Sequence, residues 1–153
     1  MAFTGVTTGG YITANTTGTS DPNISTSNIN AAKNVNRYWT LTNNSTVGGS
    51  YKPTFTYTAA DLDAGVTAST FIAQEYTGSS WASLTTGTTT TTSTPVTSAL
   101  TAFGDFAIGN AKTTTTTTVI SSLNPACQGS SVTFTATVKS GATLITTGDV
   151  SFF

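Results

Sequence analysis

The sequence predicts an all-β protein, an antiparallel β-sandwich followed by a second, incomplete β unit. Three observations predict it. Apolar side chains recur with a period of two, and no stretch carries a 3.6-residue stripe for three turns. Roughly a quarter of the residues are Thr, which is β-branched and favours extended backbone. Clusters of Gly, Asn, Ser and Pro cut the chain into short runs, the spacing of a sandwich.

Taken in order, residues 11–14 are the first expected strand, and Asp21-Pro22-Asn23 opens a long loop. Arg37, Trp39 and Leu41 then share one strand face, with Tyr38, Thr40 and Thr42 on the other. Phe55 and Tyr57 lie on one face of the next run. Residues 71–76 form a strand, and Gly78-Ser79-Ser80 turns the chain into Trp81, which together read as a hairpin. Residues 85–94 are nearly all Thr and Ser. An exposed strand pair and a mobile loop are both open there, and a solvent-facing edge strand outweighs an O-glycosylated stalk, which would normally carry more Pro. Phe106 and Ile108 mark a further strand, closed by Gly109-Asn110.

The domain boundary is placed at the Thr run that follows, giving a sandwich over residues 1–111 and a partial unit over 112–153. Beyond it, Leu123 to Gly129 forms a turn. Val132, Phe134, Ala136 and Val138 then alternate with Thr133, Thr135 and Thr137 as a half-buried strand, and Asp149 to Phe153 reads as another. About forty residues cannot close a sandwich that normally needs ~100, so three strands must leave an apolar face without cover. The chain ends on two aromatics and starts without a basic segment or an apolar h-region. It is therefore expected to be a piece of something longer, exported by a segment outside it.

Composition excludes several function classes. Charged residues make up 7% of the chain, with five Lys/Arg against six Asp/Glu, so no basic patch is available for nucleic acid. With no His and one Cys, the common zinc and redox sites cannot be assembled, and no cofactor is expected. No apolar run reaches the ~18–20 residues of a membrane span.

The remaining candidates are few. Asp61-Leu62-Asp63-Ala64-Gly65 has the spacing that begins a calcium loop. Ile72 stands where the terminal Glu of that loop belongs, however, so an ordinary turn is the stronger reading and Asp61 and Asp63 are a weak metal candidate. Asp61, Asp63, Glu75 and Asp105 supply carboxylates, but no spacing selects a facing pair for glycoside hydrolysis, and no catalytic residue is assigned. Trp39 and Trp81 are structural candidates, as is Phe106. Trp39 is expected to be buried and Trp81 at most half exposed, which disfavours a platform for sugar rings. Arg37 is expected to stack on an aromatic or pair with a carboxylate. Cys127 is expected to be buried, or paired with a Cys beyond the chain.

The run Asn34 to Asn43 (NVNRYWTLTN), Thr54 to Tyr57 (TFTY), and Phe103 to Gly109 (FGDFAIG) resemble a β-sandwich module repeated in large secreted surface proteins of Bacteroidota, many of them adhesin-like. The resemblance covers roughly residues 3–110. Residues 114–153, with TTTTVISSLNPACQGSSVTFTATV and GDVSFF, are similar to the start of a bacterial immunoglobulin-like repeat. The resemblance implies an immunoglobulin-like sandwich and an extracellular, cell-surface location, and it carries over no catalytic residues. It further implies a non-enzymatic structural or adhesive module that spaces or displays adhesive domains. The alternatives are a subunit of an extracellular filament built by strand addition and a carbohydrate-binding module. Expected partners are neighbouring domains of the same long chain or like subunits, with surface glycans under the carbohydrate alternative.

Overall fold

The computed structural model describes residues 3–44 and 47–152. The chain divides into two compact units, Met1–Lys112 and Thr113–Phe153. Within the described residues it is almost wholly β, with antiparallel sheets packed together and three single-turn 3-10 segments as the helical content.

The first unit holds β1 (Phe3–Thr8), β2 (Tyr11–Thr17), β3 (Ile29–Asn34), β4 (Tyr38–Asn44), β5 (Val47–Tyr51), β6 (Thr54–Thr56), β7 (Phe71–Tyr76), β8 (Trp81–Leu84), β9 (Ser93–Pro95) and β10 (Asp105–Ala111). One layer is a six-stranded sheet in the order β2-β4-β10-β7-β8, with β3 also paired to β10. Strands β4 and β3 share the same edge of β10. Asp105 and Phe106 pair with Thr40 and Trp39, and after a corner at residues 35–37, Gly109 and Ala111 pair with Asn34 and Ile29. The second layer is made of the β1–β5 and β6–β9 pairs.

The core sits between these layers. The large sheet contributes Leu41, Phe71, Ala73, Phe106 and Ile108, and the opposite layer contributes Tyr51, Phe55, Tyr57, Val96 and Leu100. The Phe55 and Phe106 rings meet across it at 5.1 Å. Each large side chain so buried contributes about 1.5–3 kcal/mol relative to exposure. A smaller cluster of Ile24, Ile29 and Ala107, with Ile72 and Trp81 against it, covers the other face of the large sheet. Strand β10 is therefore buried on both faces, which is why Phe106-Ala107-Ile108-Gly109 has no polar side chain.

The hairpin expected at residues 71–84 is present as β7 and β8, with Tyr76 opposite Trp81. The Thr-rich stretch at residues 85–94 is not the solvent-facing edge strand expected. Thr89 and Thr94 are buried, and only residues 93–95 form a strand. Burial is possible because the hydroxyls are satisfied. Thr89 donates to the Ala68 carbonyl at 2.6 Å, and Thr94 Oγ1 lies 2.9 Å from the Tyr57 hydroxyl.

The second unit is a three-stranded sheet in the order β11 (Thr116–Ser121), β12 (Phe134–Ser140), β13 (Thr143–Leu144). The expected strand at Val132 begins two residues later, at Phe134. Residues 149–152 have no strand neighbour and remain irregular, and Phe153 lies outside the described residues. Register places Val119, Phe134, Ala136 and Val138 on one face, and Thr118, Ile120, Thr135, Thr137 and Lys139 on the other. The apolar face is uncovered within its own unit: Phe134 is 60% exposed and Val119 50%. The Phe152 ring lies 6.4 Å from that of Phe134 and is itself exposed.

Close approach fixes Gly109 in the first unit. A Cβ on Gly109 would stand 2.7 Å from the Asn34 Cα and equally close to the Ile29 side chain. Gly109→Ala should therefore push β3 away from β10. A loss of ~1–3 kcal/mol, the usual cost of overpacking, is expected in urea unfolding of the first unit. An unchanged midpoint would contradict the packing described.

Candidate functional site

The densest polar constellation in the first unit surrounds the Asp-x-Asp-x-Gly segment. The corner between β3 and β4 runs alongside it, with Asn36 N–H donating to the Asp61 carbonyl at 2.6 Å and Asp63 N–H to the Asn34 carbonyl at 3.1 Å. Arg37 lies just before β4, and its Nε and Nη2 donate to Asp61 Oδ2 and Oδ1 at 3.2 and 3.1 Å. Asp61 Oδ2 also accepts from the Thr58 backbone and hydroxyl. The Arg37 guanidinium leads these hydrogen bonds in holding the Asp61 carboxyl down to about 2. Of the two roles foreseen for Arg37, the carboxylate pairing is the one observed.

Asp63 is used differently. Its Oδ2 accepts from the Asn34 backbone and side-chain amides at 2.9 and 2.8 Å, and its Oδ1 from Asn36 Nδ2 at 2.6 Å. The Ser20 hydroxyl lies within reach of both Asn oxygens. Both carboxylates are thus turned to separate protein donors, and the arrangement locks the β3–β4 corner. Among the described residues no group of three or more His, Cys, Asp or Glu is placed to hold a metal ion. Asn34, Asn36 and Ser20 are members of this constellation that the sequence reading did not single out. The repeated Asn at 34 and 36 was the available signal.

The other carboxylates do not face one another across a cleft. Asp105 accepts from the Thr40 hydroxyl at 2.5 Å. Glu75 shares the core-facing side of β7 with Phe71 and Ala73, and its Oε1 has no partner among the described residues. Burial pushes its carboxyl above the ordinary range. Asp21, read in the sequence only as a turn residue, is buried with Oδ1 accepting from Asn23 N–H at 2.7 Å and Oδ2 unpaired among the described residues. Burial raises its carboxyl, and the nearby Asp105 charge adds to this.

The aromatic candidates are packing elements. Phe106 is fully buried. Trp39 is half-buried, not buried as expected. Its ring packs on Phe55 at 4.9 Å and Tyr57 at 6.3 Å, and its register partner on the edge strand β2 is the small Thr16, with Ala14 two residues away on the same face. A groove of about 180 Å³ remains there, lined by Ala14, Trp39, Leu41 and Phe55 among others. Trp81 is half-buried, and its Nε1 donates to the Asn23 carbonyl at 3.2 Å and the Thr26 hydroxyl at 3.1 Å. Cys127 is a free, exposed thiol in the loop after β11, which corrects the expectation that it is buried; that loop has no second layer over it within its own unit. No helix among the described residues is long and apolar enough to cross a membrane.

Comparison with known protein families, curated proteins and solved structures finds no match.

The carboxylates give opposite pH signatures. Glu75 keeps its proton in the folded state to a higher pH than in the unfolded state. Its stabilising contribution is therefore full below its unfolded value near 4.5, and is lost as pH rises through the folded value. Glu75→Gln should raise the melting temperature at pH ~8, with the gain shrinking toward pH ~4. Asp61 behaves in reverse: its contribution is present above 3.8 and lost as pH falls through about 2. Asp61→Asn should cost ~1 kcal/mol at neutral pH, the scale of a partly exposed pair, and the difference should close in strong acid. Both are read from melting curves across pH.

Proposed function

We propose that the chain is a non-enzymatic structural module of a large exported cell-surface protein, spacing or displaying adhesive domains. The observation that carries this reading is the internal use of its polar chemistry. Arg37, Asp61, Asp63 and Asp105 all bond within the first unit, and Glu75 faces an apolar core. A surface with few charges and many hydroxyls suits an extended β array whose stability comes from packing and strand pairing. Antibodies raised against the first unit should label intact, unpermeabilised cells of the source organism, and surface proteolysis should remove the label. Labelling only after permeabilisation would overturn the reading.

A second reading, the subunit of an extracellular filament, is favoured by one specific feature. The Thr113–Phe153 sheet leaves Val119, Phe134 and Phe152 in water, where burial would gain ~1.5–3 kcal/mol for each large side chain. The carbohydrate reading has less support, since Trp81 uses its indole N–H internally and the Trp39 ring is tilted onto Phe55. The chain should be silent on a glycan array. Binding that is lost in a folded Trp39→Ala or Trp81→Ala variant would restore the carbohydrate reading.

A further inference from the structure

We propose that the chain assembles by strand addition, β11 of one copy pairing along the free edge of β2 in a second copy. The proposal rests on the filament reading above and names the two edges that would carry it.

Free sheet edges are ordinarily protected by charge, Pro, a bulge or short length. Strand β2 has none of these. Its seven residues, YITANTT, pair with β4 in unbroken register and hold no charged residue and no Pro. It ends the large sheet, so one side of its backbone has no strand beside it among the described residues. At the opposite end of that sheet, β8 is four residues long. Strand β11, with the sequence TTTVIS, is also uncharged, regular in register and at the end of its own sheet. One chain thus carries two long, neutral and unlike edges.

Ladder geometry says which backbone groups are on offer. Leu41 N–H donates to the Gly104 carbonyl, so Leu41 turns toward β10 and its partner Ala14 turns outward. By alternation Ile12 and Thr16 do the same. On β11, Ser122 N–H donates to the Thr133 carbonyl, toward β12, which leaves Thr117, Val119 and Ser121 facing outward. Ala14 also borders the groove against Trp39, Leu41 and Phe55. A β11 strand seated beside β2 with Val119 directed inward covers that groove with an apolar side chain that is otherwise half exposed. The charge nearest this edge, Arg37 beside the Thr16 hydroxyl, is already paired with Asp61. Because donor and acceptor edges differ, the contact is head-to-tail, and each added copy presents a fresh edge to the next.

Proline at an outward position removes the offered N–H while keeping the ladder behind it, so Ala14→Pro disables the acceptor and Val119→Pro the donor. In sedimentation velocity the wild-type chain should grow beyond a dimer as concentration rises. Each variant alone should be monomeric, while retaining a β-type circular dichroism spectrum and a cooperative melt. An equimolar mixture should form a one-to-one dimer that grows no further. If either Pro variant fails to fold, Ala14→Lys and Val119→Lys take their place with the same readout. A wild-type chain that is monomeric throughout overturns both the edge assignment and the filament reading. Assembly that survives in a folded Ala14→Pro variant overturns the edge assignment alone. Val119→Pro dimerising by itself overturns the donor assignment.

Discussion

The first unit depends on one constraint: β10 must be thin and apolar on both sides. It is the strand that β3, β4 and β7 all use as their partner. Phe106 and Ile108 fill the space toward the second layer, while Ala107 and Gly109 let the segment around Ile24 and Ile29 close over the other face. Gly104, just before it, lies so close to the Tyr76 carbonyl that a Cβ could not be placed there. A larger residue at Gly104 would meet only backbone, and one at Gly109 would meet the Asn34 Cα as well as the Ile29 side chain, so neither can be accommodated by turning a side chain alone.

Around that strand the polar groups are arranged to permit burial. The Tyr51 hydroxyl donates to the Ala102 carbonyl at 2.5 Å, in the connection from β9 to β10, and the Tyr57 hydroxyl to that of Thr90 at 2.8 Å, so one core ring anchors each side of β9. Thr serves in these places because its methyl packs while its hydroxyl bonds. Glu75 departs from the pattern, as a core carboxyl with an oxygen lacking a protein partner among the described residues. It is the clearest local conflict between composition and environment in the first unit.

Sequence patterning revealed the parts of this fold that alternate strongly and have a local turn. The β7–β8 hairpin and the apolar positions of β10 belong here. It did not reveal β1, β3 or β5, whose sequences FTGVTT, INAAKN and VGGSY carry Gly, Asn or Lys without clean alternation. Those strands form because a partner strand takes their backbone bonds, a tertiary effect that no local window contains. The constellation at Asp61 and Asp63 was half legible. The carboxylate pair stands out in sequence, but the Asn34 and Asn36 amides reach it only through the β3–β4 corner. Trp39 was misjudged for a similar reason, since its exposure depends on how small its neighbours on β2 are.

Lys112 closes the first unit. Its ammonium donates to the Ser25 and Ser27 carbonyls at 2.7 and 2.6 Å, and its N–H to the Asn28 carbonyl. A pull transmitted through the Thr run that follows thus enters the unit at the end of its most deeply paired strand. It is met first by this clamp and then by the ladders on both edges of β10, loaded together along the strand axis. Tension delivered in this way is shared among many hydrogen bonds at once and does not open them singly.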